Sequence, residues 1–197
     1  MSQGHIIVIE GIDKAGKGTQ CSLLKEYFVN QNRETIVLDF PDYSTYIGKE
    51  IRAFLDGRRN FPFDVQHMLL AANRLEKKEQ INELLERGYI IIMDRYYQSN
   101  LIYGFSRGLD LKWLENLDIT LPKEDIVIVI DIPPETSYAR IQINRDIFET
   151  DRIFLNQVYS NYKKFASEKN WSIVKGDINK NKVHENIIRI LKNSNLI

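Results

Sequence analysis

Short apolar runs rich in β-branched residues recur along the chain, each followed by a longer stretch whose apolar positions return at helical spacing. The strongest runs are His5–Glu10 (HIIVIE), Glu34–Phe40 (ETIVLDF), Tyr89–Asp94 (YIIIMD) and Ile126–Ile132 (IVIVIDI), with a weaker one at Trp171–Lys175 (WSIVK). They are continuous and do not alternate, as expected of strands covered on both faces of a parallel sheet. Helical periodicity covers 17–31, 46–56, 64–87, 97–119, 134–142, 150–169 and 180–193. Strands alternating with helices predict right-handed crossovers. The expected fold class is therefore α/β, a three-layer α/β/α sandwich on a five-stranded parallel sheet. No repeat or linker-like tract interrupts the pattern, so residues 1–197 read as a single domain.

Charge narrows the partners. Lys plus Arg number 27 and Asp plus Glu number 27, a formal net charge of zero. That balance argues against a protein whose work is coating nucleic acid or an anionic membrane. The single Cys21 fits a reducing compartment, and no apolar run reaches the roughly 18 residues of a membrane span. The start, MSQGHIIVIEG, has no basic region before its strand-like run. The expected location is cytoplasmic.

Ligands of open α/β sheets bind beyond the carboxyl ends of the strands, so those ends carry the candidate chemistry. The first strand runs into Gly11-Ile12-Asp13-Lys14-Ala15-Gly16-Lys17-Gly18-Thr19, with a helix after it. Gly11 and Gly16 permit a backbone that turns successive N–H groups inward, an anion nest at a helix N-terminus. Lys17 reaches the outer phosphates of a nucleotide. A lone glycine-rich turn needs no ligand, but a buried strand before it and a helix after it favour a nucleoside triphosphate site. Neither an Asn-Lys-x-Asp guanine reader nor the length of a motor is present.

The other strand ends suggest a second substrate. Phe40-Pro41-Asp42-Tyr43-Ser44-Thr45 follows the second strand and offers hydroxyls over the cleft. The third strand ends in Asp94-Arg95-Tyr96, where an aspartate can hold magnesium, directly or through water, and an arginine can grip phosphate. The plainer reading of that pair is a buried Asp–Arg ion pair. Ser99, Asn100 and Tyr103 follow within one helical turn and are placed to read a sugar or base. Arg74 lies on a helix with an apolar stripe, where an arginine ordinarily snorkels to the surface unless that helix lines the cleft. Arg140, Arg145, Asp146, Glu149, Asp151 and Arg152 crowd a segment where an arginine-bearing lid, about 141–152, would close.

Taken together these motifs resemble the thymidylate kinase family of P-loop nucleoside monophosphate kinases, nearly from end to end. The resemblance rests on Gly11 to Gln20, Phe40-Pro41, Ser44-Thr45, Ile47-Gly48-Lys49, Ala72-Asn73-Arg74, Asp94-Arg95-Tyr96, Leu121-Pro122-Lys123 and Glu149. It implies transfer of the γ-phosphoryl of ATP to dTMP with Mg2+, in a homodimer. It also implies roles. Lys17 and the loop from Gly11 to Thr19 hold the ATP phosphates, with Arg140 against the adenine. Asp13 positions the reacting groups near the monophosphate's sugar. Arg95 grips the acceptor phosphate, Arg74 faces the thymine, and Tyr103 packs at the sugar. Phe40, Tyr43, Leu70, Ser99 and Asn100 complete the acceptor site. Asp94 and Thr19 support the metal. Lys14 and Arg145 add catalytic positive charge.

The sequence departs from the family pattern in places. Gly18 stands where Ser or Thr commonly binds magnesium, Tyr43 where many relatives place an arginine, and Leu70 where a phenylalanine often stacks on the base. Ile147 interrupts the usual lid run, leaving Arg145 or Arg152 as the lid arginine, with Arg145 preferred. His5, His67 and His184 share no metal-ligand spacing and read as structural, as do Cys21, Trp113 and Trp171. A kinase for dUMP, UMP or AMP and a non-catalytic nucleotide-binding regulator stay open as alternatives. Lys14, Lys17, Arg74, Arg95, Arg140 and Arg145 are expected to converge on one cleft, with their acidic counterweights mostly elsewhere.

Overall fold

A computed structural model describes residues 4–140, 151–194 and 196. Five parallel strands stand in the order β2-β3-β1-β4-β5: β1 (His5–Glu10), β2 (Thr35–Asp39), β3 (Ile90–Asp94), β4 (Ile126–Asp131) and β5 (Ser172–Lys175). The central β1, β3 and β4 are almost wholly buried, which accounts for their continuous apolar sequence. β2, at the edge, is only half-buried.

Helices α1 (Lys17–Val29) and α9 (Lys180–Asn193) pack together, α1 against β1, β2 and β3 and α9 against β5. A second group comprises α2 (Tyr46–Leu55), α3 (Phe63–Leu75), α5 (Tyr97–Ser106), α6 (Leu111–Leu117) and α8 (Arg152–Glu168), with α5 packed on α3, α6 and α8. Helix α4 (Lys78–Glu86) follows α3 and packs on β3, and the short α7 (Pro134–Arg140) follows β4. The α/β sandwich is the expected one. The order of the parallel strands runs outward to opposite sides of β1, with β3 and β2 on one side and β4 and β5 on the other, which makes the carboxyl end of β1 the crevice where ligands bind.

Two expected helices are each divided. The 64–87 stretch breaks after Leu75, where Lys77 N–H bonds three residues back to Arg74 and its ammonium pairs with Asp42 at 2.8 Å. Apolar periodicity continues across this break, so no local signal marks it. The 97–119 stretch breaks at Gly108, whose φ of 85° ends α5, and α6 restarts with Asp110 accepting from Trp113 N–H at 2.8 Å. Those two residues are legible stop and start signals. The expected lid lies outside the described residues except for Asp151, which caps α8, and Arg152. Arg145, Asp146, Ile147 and Glu149 also lie outside them.

Candidate active site

The loop between β1 and α1 is built by backbone geometry. Gly11 has φ 140° and Gly16 φ 99°. A Cβ at Gly11 would stand 2.6 Å from the Ile130 carbonyl oxygen, so only glycine fits beside β4. Gly16 caps α1 without a side-chain bond, leaving the first N–H groups of a helix pointing into the loop. Lys17 is buried and donates to the carbonyls of Gly11 (3.3 Å) and Ile12 (3.1 Å). Burial, then the neighbouring Arg95, lowers its pKa to about 8 against the pull of Asp13, Asp94 and Glu10. Ile12 and Ala15 are buried in the core, whereas Lys14, Gly18 and Thr19 are exposed. Arg140, also exposed, donates to the Lys14 carbonyl at 3.0 Å and so lies against the loop. Ser137 ties the loop to α7 through the Asp13 carbonyl at 2.7 Å.

Beside this loop lies a cavity of about 110 Å3. Asp13, Phe40, Tyr43, Leu70, Arg74, Arg95, Ser99, Asn100 and Tyr103 all line it, so the structure brings the nine expected acceptor-site residues together. Pro41, Leu55 and Tyr96 complete the wall. Apolar sides with a few convergent polar groups are typical of a small-molecule site.

Arg95 dominates one end of the cavity. It does not form the local pair with Asp94 that the sequence suggested as the plain alternative. Its backbone turns into the left-handed region at φ 68°, and its guanidinium bonds Asp13 across the loop. It also donates to Gly11 O (3.1 Å), Ser99 Oγ (2.9 Å) and Tyr162 Oη (3.4 Å). Asp13 accepts from Tyr103 Oη at 3.2 Å as well. Burial pushes the Asp13 carboxyl up, but Arg95 and Lys17 outweigh it and hold it below the usual range.

Arg74 does not snorkel. It is 3% exposed, and its Nε and Nη2 meet the carboxylate of Asp118 at 2.9 and 2.8 Å. Asp118, itself buried beyond the end of α6, was not singled out in the sequence, where nothing local distinguishes it. Asn100 faces α3, accepting from His67 Nδ1 at 2.6 Å and returning its amide N–H to the His67 carbonyl at 3.2 Å. Burial lowers the His67 pKa to about 4, so the ring is neutral near pH 7 and Nδ1 is the donor. Tyr43 lies under the guanidinium of Arg52, 4.0 Å from its ring centroid.

The expected separation of charges does not hold. The acidic counterweights of Arg74 and Arg95 are Asp118, Asp13 and Glu10, in or beside the cleft itself. A buried guanidinium far from carboxylates would be too costly to keep.

At the ends of β2 and β3, Asp39 and Asp94 stand in register. Burial and then Asp94 raise the Asp39 pKa. A Cβ on Gly18 would come within 3.2 Å of Asp94 Oδ2, so the missing side chain leaves room between α1 and that carboxylate.

Known proteins give the same picture. The thymidylate kinase family model matches residues 9–187. The thymidylate kinase of Schizosaccharomyces pombe is 34% identical over 85% of this chain and 79% of its own length. That of Plasmodium falciparum is 33% identical over 95% and 89%. The solved structure of thymidylate kinase from Candida albicans superposes with a TM-score of 0.84 at 27% identity, covering 99% of this chain and 94% of that one. With this fold, this loop and the Arg95-lined cavity beside it, the chain belongs to the thymidylate kinase family.

Proposed function

We propose that the protein transfers the γ-phosphoryl of ATP to dTMP, giving dTDP and ADP. The observation that carries this reading is the adjacency of two phosphate-gripping ends. The Gly11–Lys17 loop and Arg95 meet across Asp13, at the mouth of a cavity lined by Arg74 and Asn100. Phosphoryl transfer needs alignment and charge neutralisation more than covalent chemistry, and this geometry supplies both. Lys17 and the loop N–H groups hold the ATP phosphates, and Arg140 borders the adenine side. Arg95 takes the acceptor phosphate. The Nη1 edge of Arg74, left by Asp118, meets the base, and Asn100 stands beside it. Tyr103 and Asp13 face the sugar.

The donors also suit magnesium. Mg2+ keeps several waters and is held by one or two carboxylates plus substrate phosphates. A cation would relieve the repulsion between Asp39 and Asp94. Asp94, directly or through water, and Thr19 on the first turn of α1 are the residues that would hold it. Its contribution would be to neutralise charge on the transferring phosphoryl group.

Helix α3 presents Met68 and Leu75, two turns apart on one face, to solvent, 47% and 36% exposed. A second copy covering this face, in a homodimer, supports the stripe better than water does. Among the described residues no helix is long and apolar enough to cross a membrane.

The test is purified protein with ATP and a panel of dTMP, dUMP, UMP and AMP. dTMP is expected to turn over fastest. Turnover of dTMP no faster than UMP or AMP would overturn the reading, and a Lys17→Ala variant with unchanged activity would mark that activity as background and the site as one that binds nucleotide without transfer.

A further inference from the structure

Glu10 ends β1 and has no exposure to solvent. A carboxylate there must be matched by hydrogen bonds and positive charge. Its Oε1 accepts the backbone N–H groups of Tyr96 and Ser99, each at 3.0 Å. Tyr96, the N-cap of α5, makes no side-chain cap, so Glu10 caps that helix from a neighbouring strand, with its charge at the favourable end. Its Oε2 accepts the hydroxyls of Ser99 (2.7 Å) and Tyr162 (2.8 Å).

Each hydroxyl has one proton; the two oxygens lie 3.1 Å from each other, but the shorter contacts are those to Glu10, whose carboxylate can only accept, so each proton goes to Glu10. The two oxygens therefore present lone pairs to Arg95 Nη1, at 2.9 Å from Ser99 and 3.4 Å from Tyr162. Glu10 itself lies 3.9 Å from that nitrogen. Arg95 has a left-handed backbone, which a non-glycine residue holds only where its surroundings fix it. Tyr162 comes from α8, so the cluster ties Arg95 to β1, α5 and α8 together.

We propose that Glu10, Ser99 and Tyr162 are positioning residues that fix the guanidinium of Arg95 for the acceptor phosphate. The proposal rests on the reading of Arg95 as the phosphate grip, and it gives Ser99 a supporting role in place of direct contact with substrate.

The test compares Ser99→Ala and Tyr162→Phe with the parent. It measures kcat, KM for dTMP and ATP, thermal midpoint, and the dissociation constants of dTMP and of thymidine, which lacks the phosphate. Loss of one buried hydrogen bond predicts that the preference for dTMP over thymidine falls about threefold to tenfold. kcat is expected to fall with it, while thymidine affinity and KM for ATP stay put. In an Arg95→Ala background, Ser99→Ala should remove no further preference. A lower thermal midpoint with the preference intact, or equal losses for dTMP and thymidine, would overturn the proposal and make the cluster structural. An Arg95→Ala variant that still prefers dTMP as strongly as the parent would instead overturn the reading of Arg95.

Discussion

Asp118→Asn isolates the buried ion pair that holds Arg74 at the wall of the cavity. The substitution keeps the shape of the side chain but removes the charge that matches Arg74, whose side chain is 4% exposed. Two hydrogen bonds, at 2.9 and 2.8 Å, lose their charged acceptor. Breaking a buried pair by removing one partner costs about 3–5 kcal/mol, because the other charge stays in the interior. Against a total stability of about 5–15 kcal/mol that is a large share. At about 2–4 °C per kcal/mol for a chain of this size, the thermal midpoint should fall by about 6–20 °C. Urea unfolding at pH 7 followed by circular dichroism gives the free energy, and initial rates at 20 °C give KM for dTMP, which should rise as Arg74 loses its fixed direction. Replacing both partners, Arg74→Met with Asp118→Leu, should recover much of the stability while leaving dTMP binding poor. A drop below about 1 kcal/mol in the single variant, or a double variant less stable than the single, would refute the reasoning.

Three further outcomes follow from the geometry. Lys17 has its pKa lowered to about 8, and bound phosphates would raise it. ATP affinity should therefore weaken as pH climbs past 8, toward about tenfold per unit, with proton uptake visible by calorimetry in buffers of different ionisation enthalpy. A pH-independent affinity from 7 to 9.5 would contradict this. His67 is fully buried with its pKa lowered from 6.5 to about 4, so the unfolded chain binds a proton that the native state refuses. Stability should fall by about 3 kcal/mol as pH drops from 6.5 to 4, and urea midpoints of His67→Gln should fall less steeply; parallel curves would rule the histidine out. At Gly48 a Cβ would sit 1.8 Å from the Asp42 carbonyl oxygen. Gly48→Ala must push away the loop carrying Tyr43, at a cost of about 1–3 kcal/mol or more, with a raised KM for dTMP; a variant with the parent's thermal midpoint and KM would show that the loop yields freely.

The sequence by itself determined the strands, the loop and which residues to expect around one cavity. Five apolar runs became five strands with ends shifted by a residue at most, and the signature is strongest in β1, β3 and β4, which are buried on both faces. The glycines of the phosphate loop were legible because their backbone angles admit little else. The nine residues expected at an acceptor site line one cavity, some because strand ends in such a sheet share one edge, the rest because α3 and α5 pack together beside it.

Tertiary structure decided how those residues are partnered. The break after Leu75 has no glycine or proline to announce it, and it leaves Lys77 on Asp42, a residue of a different loop. Asp118 meets Arg74 across 44 positions, and Tyr162 meets Glu10 across 152. Periodicity and motif spacing report only on neighbours within a few turns, so pairings over such separations leave no mark in the chain. The neutral total of 27 against 27 is likewise a sum without positions. Only the fold shows that it arises partly inside the site, because a guanidinium taken out of water needs a carboxylate beside it.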